Sequence, residues 1–370
     1  MRMQLSALAR TAWVALAGLF ASLARGAVLP EDRADVMYHY YNGGGTKVHG
    51  PAFLVRKGIG DSVSTYGSYF VDNVSCASVD VVTTASPFKE KRTEYGGGVD
   101  YLYRNTTLGV SALRSTEPDY VNNTLGVSVT HEIFDGLTTV NLGYAESRAD
   151  VRKAHTDFSD HANTYQYKVG ASQVVTKSVL ATLNYEAILQ EGYLQSPYRS
   201  ARLQGLSVPE VYPRSRNGYA VALGAIKGFG SDDGGLKGSA YFRYRYFWDT
   251  WDIRAHTFEL GYASRFAEGW LVEPRVRHYR QSAASFYSDN FTTQMVYMAR
   301  DRELSNFYNN AIGAKGTYRL ADNRFGMNRM SVSLDYEFIS YHYNNFTDVR
   351  TGQLYAYKAN VLQLYLSGWF

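Results

Sequence analysis

The segment Leu236–Trp248, LKGSAYFRYRYFW, decides the fold. Read at every second residue, one face carries Ala240, Phe242, Tyr244, Tyr246 and Trp248, and the other Ser239, Tyr241, Arg243 and Arg245. A period of two is the signature of a strand, whose successive side chains point to opposite sides. One side is oily enough for hydrocarbon and the other requires water. Val332, Leu334, Tyr336 and Phe338 oppose Ser331, Ser333, Asp335 and Glu337 in the same way, and Phe258, Leu260 and Tyr262 oppose Thr257, Glu259 and Gly261. A cationic side chain facing lipid costs roughly 2–4 kcal/mol at the bilayer midplane, so the charged face is expected to line a wet interior. A slip of one residue would invert every strand.

Working outward, the same alternation recurs at residues 36–42, 50–57, 62–73, 92–103, 106–115, 120–134, 137–148, 164–175, 178–191, 217–229, 236–248, 253–266, 269–281, 305–320, 329–341 and 357–370. This predicts an all-β, closed antiparallel transmembrane barrel of about 16 strands (roughly 14–18), an even number being required of a single-chain bacterial barrel. Every second connection is short and mostly rich in Gly, Asn or Asp, as at Gly58–Asp61, Arg104–Asn105, Asp135–Gly136, Thr176–Lys177 and Ala267–Glu268. The connections between them include long stretches at 74–91, 149–163, 192–216, 282–304 and 344–354. Short periplasmic turns with long extracellular loops are the asymmetry of outer-membrane barrels.

The first residues fit this compartment. Arg2 and Arg10 precede an apolar run from Thr11 to Leu23, followed by small residues, the layout of a secretory signal peptide, with cleavage expected after Gly26. The chain then divides into a signal at 1–26 and one barrel domain at 27–370. Losing Arg2, Arg10 and Arg25 and no acid turns 38 basic against 34 acidic residues into 35 against 34. The mature chain is nearly neutral and has no basic run, which argues against a nucleic-acid partner. Tyr at 32 and Gly at 33 against only 8 Pro favour long strands. Cys76 is the sole cysteine, so no intramolecular disulfide framework exists.

At the C-terminus Leu362, Leu364 and Leu366 form an apolar face that ends at Phe370, beside Trp369. This resembles the signal by which barrels are read by the outer-membrane assembly machinery, although Gly368 stands where an aromatic is usual. That machinery and the outer-membrane lipids are therefore the first expected partners.

Projected inward, the lumen is expected to carry Glu94, Asp100, Lys168, Glu186, Arg243, Arg245, Glu259, Glu273, Arg275, Arg277, Lys315, Asp335 and Glu337. Their signs nearly balance. Arg243 and Arg245 lie one strand from Glu259 and two from Glu273, Arg275 and Arg277, which predicts ion pairing across the wall. Such a network either stiffens the wall or lines a solute path. His155, Asp157, Asp160 and His161 place four donors in one predicted loop; imidazole and carboxylate suit a divalent transition metal, but the spacing matches no named site. Pro87, Lys89, Glu90, Lys91 and Arg92 combine a Pro turn with clustered charge and form a candidate plug or partner loop. No nucleophile paired with a base stands out, His256 and His278 fall on outward faces near strand ends, and Gly43–Gly45 reads as a turn. Neither an enzyme nor a cofactor is expected.

The segments PEDRADVMYHYYNGGG (30–45), GPAFLVRKGIGDSVS (50–64), VDVVTTASPFKEKRTEYGGGVDYLY (79–103), DGLTTVNLGY (135–144) and NYEAILQEGYLQSPYRSAR (184–202) are similar to those of a DUF3570-like family of bacterial outer-membrane barrels catalogued as a domain of unknown function. The resemblance implies genomic association with a small lipoprotein, a thioredoxin-like protein and a periplasmic flavin transferase. It therefore implies a periplasmic redox or lipoprotein partner and, as the alternative to a channel or scaffold, a barrel component of an extracytoplasmic redox, flavin-linked electron-transfer or metal-handling system. The chain has no Cys-x-x-Cys, so in such a system it would be a wall or a partner and not the carrier.

Overall fold

Strands that alternate oily and polar side chains leave every backbone N–H and C=O in need of a neighbouring strand, and in lipid only a closed ring of strands satisfies them all. The computed structural model describes residues 28–76, 88–230, 236–320 and 326–370; the expected signal peptide lies outside them. Among the described residues the strands are β1 Arg33–Gly43, β2 Thr46–Ile59, β3 Val63–Cys76, β4 Phe88–Tyr103, β5 Thr106–Glu117, β6 Tyr120–Ile133, β7 Thr138–Arg152, β8 Ser159–Thr176, β9 Val179–Gly192, β10 Ser200–Leu203, β11 Leu206–Pro209, β12 Ser215–Gly230, β13 Leu236–Asp249, β14 Arg254–Ala267, β15 Trp270–Gln281, β16 Phe307–Arg319, β17 Arg329–Asp348 and β18 Gln353–Trp369.

Sixteen of these close into an antiparallel barrel in chain order, with β9 pairing directly to β12 and β10–β11 forming a separate hairpin. The ring is sealed by β1 against β18, in register from Arg33↔Trp369 to Gly43↔Ala359. All sixteen predicted segments are barrel strands. The outward face is the expected one: Val36, Val110, Leu125, Phe242, Leu260 and Leu334 are exposed to what is lipid in place. Aromatic girdles flank this band. Tyr246 and Trp248 stack near the extracellular end with His256 against Tyr246, and Trp270 meets Tyr318 near the periplasmic end. Tyr and Trp favour these depths because an apolar ring carries a polar tip. The chain is an outer-membrane barrel.

The strands run further than the alternation of oily residues indicated. A bilayer needs about 9–11 residues per strand, but β8 has 18 and β17 has 20. Above the hydrocarbon both faces meet water, so the oily period vanishes while the hydrogen-bonded ladder continues. Several expected loops shrink accordingly. The stretch 149–163 is mostly strand, leaving a connection at 153–158, and 344–354 becomes a turn between β17 and β18. Lys89, Glu90, Lys91 and Arg92 are corrected in the same way: they belong to β4, paired with β3 at Lys89↔Ser75 and Arg92↔Asp72, and not to a loop. Pro87 lies outside the described residues.

Candidate functional site: the lumen and its extracellular cap

Inward-facing residues on β8, β9, β12, β13 and β14 build one charged group of the interior wall. Glu186 accepts from Gln166 at 2.5 Å and from Arg245 at 3.2 Å, and Lys168 Nζ lies 3.8 Å from it. Arg243 donates to Glu259 at 3.1 Å. The Arg245 contact crosses the whole of β12, where Ala220 and Ala222 leave room on the inward face. The bases stand in water and the acids lie beneath them. The side chains of Lys168, Arg243 and Arg245 are 59, 54 and 40 % exposed, whereas Glu186 and Glu259 are 23 and 16 % exposed. Ser128 and Asn184, on the same side of the lumen, are also exposed.

On β15 and β17 a second group forms by another long reach. Arg275 donates to both oxygens of Asp335, at 2.9 and 3.2 Å, and to Glu337 at 3.2 Å, while Arg277 donates to Glu337 at 2.6 Å. The strand between them is β16, whose Gly313 faces Arg275 and Glu337 in register. A Cβ at Gly313 would stand 3.2 Å from the Arg275 guanidinium carbon, so the missing side chain is the gap through which Arg275 passes. Gly261 does similar service for Tyr241, whose ring lies over its backbone with under 2.5 Å to any Cβ placed there. Glu273, Lys315 and Asp335 are successive register partners, and Lys315 Nζ also lies 5.4 Å from the Tyr365 ring centre.

Across the barrel, β1 to β4 hold a third group that the sequence reading placed only in part. Arg56 donates to Asp100 at 2.5 Å and to Ser64 at 3.1 Å. Arg92 donates to Glu94 at 2.5 Å and lies 3.6 Å from Asp72. His39 Nε2 is 2.7 Å from Asp72 Oδ1, and its ring stacks on Phe70 at 4.7 Å. Here the order of burial is reversed: Arg56 is 4 % exposed and Asp100 20 %. Arg56, Asp72 and His39 were missed, although Arg56 follows Ala52 and Leu54 at a spacing of two and could have been projected inward with them.

The extracellular mouth is covered by a small folded cap made of β10–β11 and residues 282–306. Leu194, Tyr212, Trp251, Ile253, Ala284, Phe286, Ala299 and Leu304 form its apolar core. Tyr212 meets the Trp251 ring edge-on at 5.7 Å, and Phe286 meets Trp251 at 5.0 Å. Asp249 organises the β13–β14 turn by accepting from the N–H groups of Trp251 and Ile253, both at 2.9 Å, while Arg216 donates to it from the side. Backbone bridges Leu203↔Phe291 and Val211↔Met298 join the hairpin to the long segment.

The 3₁₀ turn Arg302–Leu304 reaches the inward side chains of the barrel wall. Gln281, inward on β15, donates to the carbonyls of Glu303 and Ser305, each at 2.8 Å. The Arg302 guanidinium sits 5.5 Å from the Tyr357 ring centre, and Arg300 sits 4.5 Å from that of Phe346. Below this turn the inward residues Tyr41, Val48, Val74, Ala311, Ile339 and Ala359 pack together on β1–β3 and β16–β18. That side of the interior is filled near the mouth, and the exposed inward side chains Ser128, Lys168, Asn184, Arg243 and Arg245 lie toward β6–β13.

Buried acids fasten the cap. Glu210 accepts from the Arg300 N–H at 2.7 Å and from the Tyr212 hydroxyl at 2.8 Å, and Asp301 pairs with Arg199. Burial pushes the Glu303 carboxyl up to about 7, with Asp301 adding to the shift and Arg199 and Arg302 opposing it. Burial raises Glu210 as well.

The remaining sequence candidates separate. His155, Asp157, Asp160 and His161 are not brought together, and among the described residues no group of three or more His, Cys, Asp or Glu converges as a metal site. Asp160 is instead held by Arg214 at 2.7 and 2.9 Å, and both Asp160 and His161 belong to β8. At the C-terminus Leu362, Leu364 and Leu366 face outward, Trp369 lies under Arg329 at 4.1 Å, and the Phe370 N–H donates to Asp32. His256 and His278 sit in the outward girdle, as expected, bonded to Tyr244 and Asn310. One outward Ser–His pair escaped the sequence reading: Ser340 Oγ lies 2.9 Å from His342 Nε2, with the imidazole stacked on Tyr308. Among the described residues no carboxylate pairs with His342.

The barrel is similar to several solved structures. The chain is similar to a bacterial polysaccharide outer-membrane secretin, with 9 % identity, a TM-score of 0.51 and coverage of 92 % of this chain and 100 % of the other. That likeness shows the barrel fold. It is also similar to a FadL homologue from Pseudomonas aeruginosa (11 % identity, TM-score 0.45, 92 % and 91 % covered). The siderophore receptor PirA from Acinetobacter baumannii gives 9 % identity and a TM-score of 0.45, with 92 % of this chain matched but only 60 % of the receptor spanned. No curated protein matches the sequence. Residues 145–359 match a family described as a protein of unknown function, DUF3570.

Proposed function

The chain belongs to the DUF3570 family, and we propose that this member is a non-enzymatic channel: a water-filled passage for small hydrophilic solutes across the outer membrane, narrowed at its outer mouth by a folded cap. The observation that carries this reading is the exposure of Lys168, Arg243 and Arg245 inside the ring. Long cationic side chains pointing inward keep that exposure only if water occupies the space before them, because a filled interior would bury them or force them into tighter pairs. A barrel of this strand number has the diameter for an aqueous lumen. Refolded protein in a planar lipid bilayer is expected to give discrete current steps in potassium chloride; an insulating bilayer at high protein occupancy would overturn the reading.

A scaffold role is favoured by one feature. The cap presents Met295, Val296 and Tyr297 to the outside, beside a hollow of about 550 Å³ that Trp251 and Phe286 also line. Apolar side chains grouped on an extracellular surface suit a protein contact. The redox or metal-handling alternative rests on the family resemblance, and unchanged extracytoplasmic reduction and metal handling in a deletion strain would remove it.

A further inference from the structure

We propose that the passage selects small anions, and that Lys168, Arg243 and Arg245 are the residues that set this preference. The proposal deepens the channel reading and rests on it. The lumen charges nearly balance in number, so selectivity depends on which sign reaches the water. On β8 and β13 the bases project and their acids lie at the wall: Glu186 is spread over Gln166, Lys168 and Arg245, and Glu259 is held by Arg243. Three cationic heads share two carboxylates there, and the heads are more exposed than the carboxylates.

The opposite wall does not cancel this. From β13 to β3 is half the circuit of sixteen strands. On that side Asp100 and Glu94 are held by the well-buried Arg56 and Arg92 and remain mostly covered themselves. Between the two walls, the middle of β5–β7 presents mostly small neutral residues inward, including Ser111, Ser128 and Ser147, while the acids of that face, Glu132 and the buried Glu117, stand at the strand ends and leave the cationic arc unobstructed. The cap turn at Arg302–Leu304 fills the side away from this arc near the mouth and displaces solutes toward it. At physiological ionic strength a charge is felt over about 8 Å, so an anion passing these heads is attracted and a cation is repelled. The chemical class that fits is a small solute bearing a carboxylate or another compact anionic group, met by Arg and Lys as charge-assisted donors.

The test is the reversal potential of single channels in a potassium chloride gradient. Wild-type protein is expected to pass chloride in preference to potassium. The K168Q/R243Q/R245Q variant is expected to lose roughly half or more of that reversal potential, and Glu186→Gln, which uncovers two of the bases, to increase it. Conducting channels whose reversal potential is near zero or favours potassium, or one that the triple variant leaves unchanged, would overturn the anion assignment while the channel reading stood. Absence of current from wild-type protein would overturn both.

Discussion

Arg275 reaches its acids across Gly313, where a side chain would crowd the guanidinium, and this couples two positions on different strands. Gly313→Leu should displace the guanidinium and leave Asp335 and Glu337 side by side without their shared partner. Removing one member of a covered ion pair costs more than the pair itself contributes, because the remaining charge stays desolvated. Both acids border a wet lumen, so the loss is expected near the lower end, about 1–3 kcal/mol. Denaturant unfolding of the detergent-solubilised barrel measures it. Arg275→Met should reproduce most of the loss, and adding Gly313→Leu to Arg275→Met should cost little more. Additive losses would show that Gly313 acts through something other than Arg275.

At the scale of a strand, the assignment of faces is open to a paired test on β18. Leu364→Arg puts a cation into hydrocarbon and should cost roughly 2–4 kcal/mol, whereas Gln363→Arg, one residue away, should be nearly neutral because it enters the lumen. Equal costs would contradict the inward and outward assignment. The cap segment has its own prediction. Glu303 carries a raised carboxyl in the folded cap and an ordinary one when the segment opens, so the folded cap binds the extra proton. Its stability is therefore fully present below about 4.5 and declines as pH rises through about 7. Limited proteolysis within 282–306 should quicken between pH 5 and 8, and Glu303→Gln should flatten that dependence. These elements also mark the limit of what the sequence disclosed. The spanning strands were legible because lipid on one side and water on the other imprint a period of two, as in Phe242, Tyr244 and Tyr246 against Arg243 and Arg245. The extracellular extensions, where Asp160, His161 and Lys89–Arg92 lie, carry no such imprint. The cap was illegible for a related reason: Tyr212, Trp251 and Phe286 come from three separate connections, and no local spacing announces their meeting. The lumen pairs were half visible, since each face could be projected inward but a reach over Ala222 or Gly313 depends on the register of three strands.

For the whole molecule, the decisive quantity is how much of the ring's interior conducts. Gln281 and Phe307 are register partners, so residues 283–305 can be replaced by a short Gly-rich turn without parting β15 from β16. The shortened barrel should conduct more per step than the complete one, because the Arg302–Leu304 turn and the wall it leans on no longer narrow the mouth. Unchanged conductance would place the constriction elsewhere along the passage. The packed inward side chains around Tyr41, Ile339 and Ala359 carry a different consequence. Every junction in the circuit but one joins strands consecutive in the ring by a connection of the chain. The exception, β1 against β18, unites the first and last strands of the ring and has no chain connection to hold it. The oily wedge straddles that junction from within, with Tyr41 on one bank and Ala359 on the other. It serves as an internal clasp on the seam, so weakening it should let the cylinder unzip there first, long before any hairpin yields.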